Sequence, residues 1–194
     1  SVSVQQQLVL SIAAGLTLQT LSRWLGGYRK LVRCMPNTPA LIGAGIAGLY
    51  ALPEVSAEEK KKAETILGAV GEAVWVPEER LLDPVTAVSA SGPAYVFWFI
   101  EQLAASAENL GLQKETAMKL AMHTVLGAAK LAASSSEPPA TLRRNVTSKG
   151  GTTEAALKVF EEERLAERFR RAVEAASRRA TQLGDELGEE PGKD

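Results

Sequence analysis

The sequence is poor in the residues that carry most metal, nucleophile and redox chemistry, with one cysteine and one histidine in 194 residues. A lone Cys34 excludes an intramolecular disulfide framework, and a lone His123 excludes a His-rich zinc or copper site and argues against a Ser-His-Asp hydrolase. No run of apolar residues is long enough to span a bilayer. Charge of one sign is lacking too. The chain balances 22 Lys plus Arg against 23 Asp plus Glu, so no global field draws it to nucleic acid or to an anionic membrane, and any anion site must be local. A single cysteine fits a cytoplasmic setting. The opening residues Ser1-Val2-Ser3-Val4 include no initiator Met and no basic segment, which reads as neither a signal peptide nor a membrane span but as a processed or truncated product.

What is present divides by texture. The first eighty residues place short β-branched runs between turn residues, which predicts strands joined by helices. Leu8 to Ala13 reads as a buried strand followed by an Ala14-Gly15 loop, Leu18 to Leu25 as a short helix closed by Gly26-Gly27, and Lys30 to Met35 as a second strand halted by Pro36-Asn37-Thr38-Pro39. Gly43 to Tyr50 is a third strand candidate and Ala73 to Val76 a fourth. Between them Ser56 to Leu67 reads as a helix with Ser56 as its N-cap and Glu58 and Glu59 in its first turn. This alternation predicts an α/β layer with a mostly parallel sheet.

After Leu82 helical spacing takes over. Val96, Phe99, Ile100, Leu103, Ala107 and Leu110 mark one face of a helix beginning at Pro93, with Gly111 as its C-cap, and Tyr95, Phe97 and Trp98 make its first half apolar all round, as in helices buried on every side. Further helices are expected at Lys114 to Ala133, Pro139 to about Val146, Thr153 to Phe160 and Arg164 to Leu183, with a frayed tail from Gly184. The expected fold is α/β followed by all-α, with domains 1–82 and 83–194. The helical part has more apolar surface than one layer in water can hide, which points to oligomerisation through it.

Three segments have the composition of sites. Asn145-Val146-Thr147-Ser148-Lys149-Gly150-Gly151-Thr152-Thr153-Glu154 is a hydroxyl-rich loop running into a helix, where glycines let the backbone approach a ligand and the free N–H groups of Thr152 and Thr153 and the helix dipole favour a carboxylate or phosphate. The alternative is a helix start capped by its own hydroxyls. Arg33-Cys34-Met35-Pro36-Asn37-Thr38-Pro39 leaves a strand at the edge where ligands of open α/β sheets bind, although it also makes an ordinary rigid turn. Ser11-Ile12-Ala13-Ala14-Gly15 ends its strand with small side chains that leave room for a planar ring, or simply pack economically. Ser89 and Ser91 line a site or cap the helix after them. His123 reads as a packed or interface residue, and Cys34 has no nearby histidine to activate it.

The order SIAAG, RCMPNTPALIGAG, SGPAYVF and NVTSKGGTT, spread over nearly the whole chain, resembles the pyrroline-5-carboxylate reductases of proline biosynthesis. The resemblance implies the C-terminal portion of a Rossmann-type sheet joined to a helical dimerisation domain, a homodimer that assembles further into rings of dimers, and hydride transfer from NADPH or NADH to 1-pyrroline-5-carboxylate to give L-proline. It implies that Ser148, Gly150, Gly151, Thr152 and Thr153 bind the substrate carboxylate, that the Thr153 hydroxyl assists protonation of the ring nitrogen, and that Ala13, Ala14, Asn37 and Asn145 face the cofactor. Lys149 stands where many members have Pro, and Glu137 fits the family's acidic turn only loosely. Gly43-Ala44-Gly45-Ile46-Ala47-Gly48 has the G-x-G-x-x-G spacing inside a strand-like run with no helix after it, so a phosphate-binding turn is lacking and weak or no cofactor binding is expected of the chain as given. The alternatives are a non-catalytic helical oligomerisation fragment and a related imine or β-hydroxyacid reductase.

Overall fold

In the computed structural model residues 7–188 are described. The sheet has four strands in the order β1 (Val9–Ser11), β2 (Leu31–Met35), β3 (Gly45–Ala51) and β4 (Gly71–Trp75). Helix α1 (Leu18–Trp24) joins the parallel pair β1 and β2, and α2 (Ala57–Gly68) joins the parallel pair β3 and β4. The central pairing of β2 with β3 is antiparallel. The expected mostly parallel sheet is thus found, and its one antiparallel pairing arises because residues 36–44 form only a short 3-10 turn (Thr38–Ile42), too short for the crossover a parallel pair requires.

Alternation along β2 feeds two cores. Val32 and Cys34 join Ala47, Leu49, Ala51, Val55 and Leu67 on the α2 side. Leu31 joins Leu18 and Leu52 on the α1 side. All five residues of β2 are buried, which is why its sequence reads as an unbroken apolar run broken only by Arg33. Helix α2 starts as the spacing predicts: Ser56 Oγ accepts from the Glu59 N–H and Glu59 accepts from the Ser56 N–H, a complete capping box. At the sheet's far side Gly71 has φ +153° and lies directly against the backbone of Gly45, so a side chain there would meet main chain.

The chain then turns helical through α3 (Leu82–Val85), a π turn at Thr86–Ala90 and α4 (Gly92–Asn109). Pro93 is the second residue of α4, in the first turn where its missing N–H costs no hydrogen bond, as expected. The π turn, in which the Ser91 N–H donates to the Thr86 carbonyl at 2.9 Å, carries the helix into it. Helices α5 (Lys114–Ser134), α6 (Pro139–Asn145), α7 (Thr152–Glu162) and α8 (Leu165–Gly188) follow.

Two compact units result. One takes residues up to Pro93 together with the last part of α8 from Ala172, and the other is Ala94–Arg171. The division expected after residue 82 thus falls within the first unit, because Leu82 is fully buried and Leu82 and Val85 pack over Gly48 of β3. Fraying from Gly184 is also corrected: α8 continues to Gly188, with Gly184 against the Gly15 carbonyl and Arg23 donating to the Gly188 carbonyl at 2.9 Å. Residues beyond Gly188, and Ser1 to Gln6 at the start, lie outside the described residues.

In the second unit Ile100 and Ala104 of α4 pack on Ala121 of α5 with Leu103 and Val125 around them. The all-round burial expected of α4 is not met within one chain: Phe97, Trp98 and Phe99 are 59%, 58% and 47% exposed. Leu120, Leu126, Val159, Phe160 and Phe169 on the later helices are also exposed. Among the described residues no helix is long and apolar enough to cross a membrane.

Candidate active site

The residues expected at a site fall in both units, and each group has its own geometry. In the first unit β1 and β2 run parallel, so the loops after Ser11 and after Met35 leave the sheet at the same carboxyl edge. Ala13 and Ala14 are exposed there, and Ala13 donates weakly back to Ser11 Oγ at 3.4 Å. Asn37 is half-buried on the second loop. Its Oδ1 accepts from the Ile46 N–H at 2.9 Å, across the entry to β3. That bond fixes the amide and commits its oxygen, leaving the NH2 to donate. Asn37 does not cap the turn that follows it; its side chain bridges that turn to the start of β3 instead.

The helix start after β1 is already closed. Thr17 Oγ1 accepts from Thr20 N–H at 3.2 Å and the Glu79 carboxylate accepts from Leu18 N–H at 2.7 Å. The same oxygen of Glu79 lies 3.2 Å from Nη1 of Arg33, a side chain 5% exposed. Neither Arg33 nor Glu79 stands out by motif; the one signal was an arginine inside an otherwise apolar strand. Cys34 faces the other core, where burial pushes its thiol up to about 11. It is a packing residue.

In the second unit, α6 ends at Asn145 and the loop to α7 passes through Ser148, Lys149, Gly150 and Gly151. Gly150 has φ +73°, a conformation a side chain would strain, and Gly151 follows as the cap residue of α7. The Gly151 N–H donates to the Ser148 carbonyl at 3.0 Å and the Gly150 N–H to Glu154 Oε2 at 2.6 Å. Gly151 has no side chain with which to cap, so the N–H groups of Thr152 and Thr153, the first two positions of α7, have no acceptor in the helix. A side chain at Gly151 would collide with the Ser148 hydroxyl. No hydroxyl caps this start among the described residues; the side chain that serves it is Glu154, which no motif in the sequence marks. Thr147 Oγ1 turns back to donate to the Arg143 carbonyl at 2.6 Å. Thr153 is half-buried, while Asn145, Ser148, Lys149 and Thr152 are exposed.

Glu137 is exposed and its N–H donates to Ser135 Oγ at 3.0 Å; nothing in its contacts marks it for a site. His123 sits on the exposed side of α5 and Ser89 Oγ donates to the Val85 carbonyl at 3.0 Å, within the π turn. No cluster of metal-ligating side chains occurs among the described residues.

An α/β unit with open loops at its carboxyl edge, followed by a helical unit whose loop offers main-chain donors to an anion, is the plan of a two-part oxidoreductase. The comparisons with known proteins make the class particular. Residues 79–183 match the family described as pyrroline-5-carboxylate reductase dimerisation. The chain is 49% identical over 184 residues to a pyrroline-5-carboxylate reductase of Pseudomonas aeruginosa, covering 95% of this chain and 67% of that protein. Its structure is similar to that of a pyrroline-5-carboxylate reductase from Coxiella burnetii, with a TM-score of 0.87 at 45% identity over 93% of this chain and 67% of that one. It is also similar to a Plasmodium falciparum pyrroline carboxylate reductase with NADP bound, with a TM-score of 0.84 at 31% identity over 93% of this chain and 72% of the other. The chain belongs to the pyrroline-5-carboxylate reductase family. It spans about two thirds of the length of the relatives it matches, and the reductase reading is favoured over both alternatives.

Proposed function

We propose that the chain carries the substrate loop, part of the cofactor side and the self-association surface of an enzyme that reduces 1-pyrroline-5-carboxylate to L-proline with NAD(P)H. The observation that supports this most is the start of α7, where the N–H groups of Thr152 and Thr153 have no side-chain cap and follow a Gly150-Gly151 turn whose first N–H is taken by Glu154 Oε2 at 2.6 Å.

The division of labour follows the texture of the chain. Segment 1–82 supplies the sheet and the cofactor-facing loops, and segment 83–194 the substrate loop and the dimer surface. Thr152 and Thr153 N–H groups hold the substrate carboxylate, helped by the α7 dipole, and Ser148 adds a hydroxyl at the same loop. Lys149 at the loop mouth adds a cation that favours an incoming carboxylate. The Thr153 hydroxyl sits on one of the two anchoring residues and holds a proton near the ring nitrogen as the imine becomes an amine.

The residues on the sheet side fit a nicotinamide. Ala13 and Ala14 are small and exposed, and Asn37 keeps its NH2 free for a carboxamide or ribose oxygen, with Asn145 assigned to the same role. NAD(P)H, when bound, supplies the hydride. The chain's own contribution is orientation, with little covalent work for any side chain. The exposed apolar faces of α4, α5, α7 and α8 fit a homodimer that assembles further into rings of dimers, and a single buried free thiol fits a cytoplasmic enzyme.

The test is steady-state kinetics on the protein's full natural chain, following NADPH loss and proline formation. Thr153→Ala is expected to lower kcat by roughly 10²-fold, the usual yield of a positioned proton donor, with Thr153→Ser close to the parent. An unchanged kcat in Thr153→Ala removes its role, and no proline from the parent overturns the function.

A further inference from the structure

We propose that Glu79 is a positioning residue for the cofactor side of the reaction: its carboxylate ties the start of α1 to the buried Arg33 and so fixes the two loops that carry Ala13, Ala14 and Asn37. The proposal rests on the reading above that those three residues face NAD(P)H.

One carboxylate oxygen serves both ties. Glu79 Oε1 accepts from Leu18 N–H at 2.7 Å and lies 3.2 Å from Arg33 Nη1. Leu18 is where the first loop ends, and Arg33 is where the second is about to begin. Both strands feeding these loops are parallel and in register at Ser11 and Arg33, so the loops leave one edge side by side. From Ser11 the chain passes through residues 12–17 to Leu18, and from Arg33 through residues 34–36 to Asn37. Ala13, Ala14 and Asn37 are therefore each four or five residues along the chain from a point that Glu79 holds.

Glu79 is itself held. It lies in the 3-10 turn Glu79–Leu81, which runs into the fully buried Leu82 of α3.

The pair is not built for stability alone. Arg33 is 4% exposed, yet its Nε has no hydrogen-bond partner, so part of the cost of burying the guanidinium is not recovered. Apolar residues of similar volume generally stabilise such a site as well or better, and what a buried ion pair adds is a defined geometry. Here that geometry acts on two loops whose residues 12–17 and 36–37 belong to neither core cluster, although Leu18, where the first of them ends, packs with Leu31 and Leu52.

The experiment uses the full natural chain with Glu79→Gln, which keeps an acceptor for Leu18 N–H and loses the charge, Glu79→Ala, which loses both, and Asn37→Ala as a reference for the loop. KM for NADPH, KM for pyrroline-5-carboxylate, kcat and Tm are measured for each. Glu79→Ala is expected to raise KM for NADPH roughly tenfold and Glu79→Gln less, with KM for pyrroline-5-carboxylate within about twofold of the parent, because only the cofactor loops drift. A fall in Tm with an unchanged KM for NADPH, or a parallel rise in both KM values, makes Glu79 merely structural and overturns the proposal. If Glu79→Ala does not fold, Glu79→Gln decides alone by the same split. Should Asn37→Ala leave KM for NADPH unchanged, the loop assignment falls and the proposal with it. Should Asn37→Ala raise it while the Glu79 variants do not, the assignment stands and the coupling alone fails.

Discussion

Cys34 and Glu59 show how differently two ionisable side chains can be tuned within one sheet unit. Cys34 is buried between strands, and the loss of water pushes its thiol up to about 11, so at neutral pH it is neither a thiolate nor accessible. A thiol reagent at pH 8 is expected to leave the folded protein unlabelled and to react fully in denaturant; rapid native labelling counts against this packing role. Glu59 goes the other way. Lys30 and the Ser56 backbone hold its carboxyl down to about 2, well below its ordinary 4.5. A folded-state value below the unfolded one means that its contribution is complete above about pH 4.5 and is lost as the pH falls through 2. Glu59→Gln should therefore show a shallower loss of stability between those limits than the parent in acid unfolding, and identical slopes would remove the linkage. Among site residues, Thr153 and the Gly150-Gly151 turn were legible as a pattern, because hydroxyls and glycines before a helix have a local meaning. Arg33 and Glu79 were not, because neither has meaning without the other.

At the scale of elements, local rules served well wherever the partners are close in the chain. The Ser56 cap, the α1 stop before Gly26-Gly27 and the break at Pro138-Pro139 all involve residues within a few positions of one another. Strand direction was another matter. The run Gly43 to Tyr50 reads as a strand but says nothing of whether it lies parallel or antiparallel to β2, and the short 3-10 connection decided that. The close pairing of Gly45 with Gly71 is a related case. Gly71→Ala would push a methyl into the Gly45 backbone at the edge pairing of β3 and β4, and should cost about 2 kcal/mol or more in denaturant unfolding. A near-neutral result means that the strands can separate there at little cost. The π turn at Thr86–Ala90 likewise escaped the periodicity, since it adds one residue to a helix that otherwise keeps its pattern.

At the scale of the whole molecule, the apolar faces of the helical unit dominate. Phe97, Trp98, Leu126 and Phe169 stand 59%, 58%, 45% and 56% exposed on one chain, more than isolated surface apolars account for. The dimerisation family matched across 79–183 supports self-association, and covering these faces is the expected outcome of it. Light scattering should give at least a dimer for the parent. Leu126→Glu, which burdens only the associated state with a buried charge, should shift the mass toward the monomer, and an unshifted mass places Leu126 off the interface. By itself the sequence determined the order of elements, their caps, the neutral charge balance and the glycine- and hydroxyl-rich character of the loop before α7. Each depends on residues near one another in the chain and on side-chain period. Only the tertiary structure decided the antiparallel turn at the centre of the sheet, the burial of Arg33 and its meeting with a Glu79 that lies 46 residues away, itself 61 residues from the Leu18 it also holds. Those contacts exist because packing brings distant segments to one sheet edge, and no local pattern records which segment will arrive there.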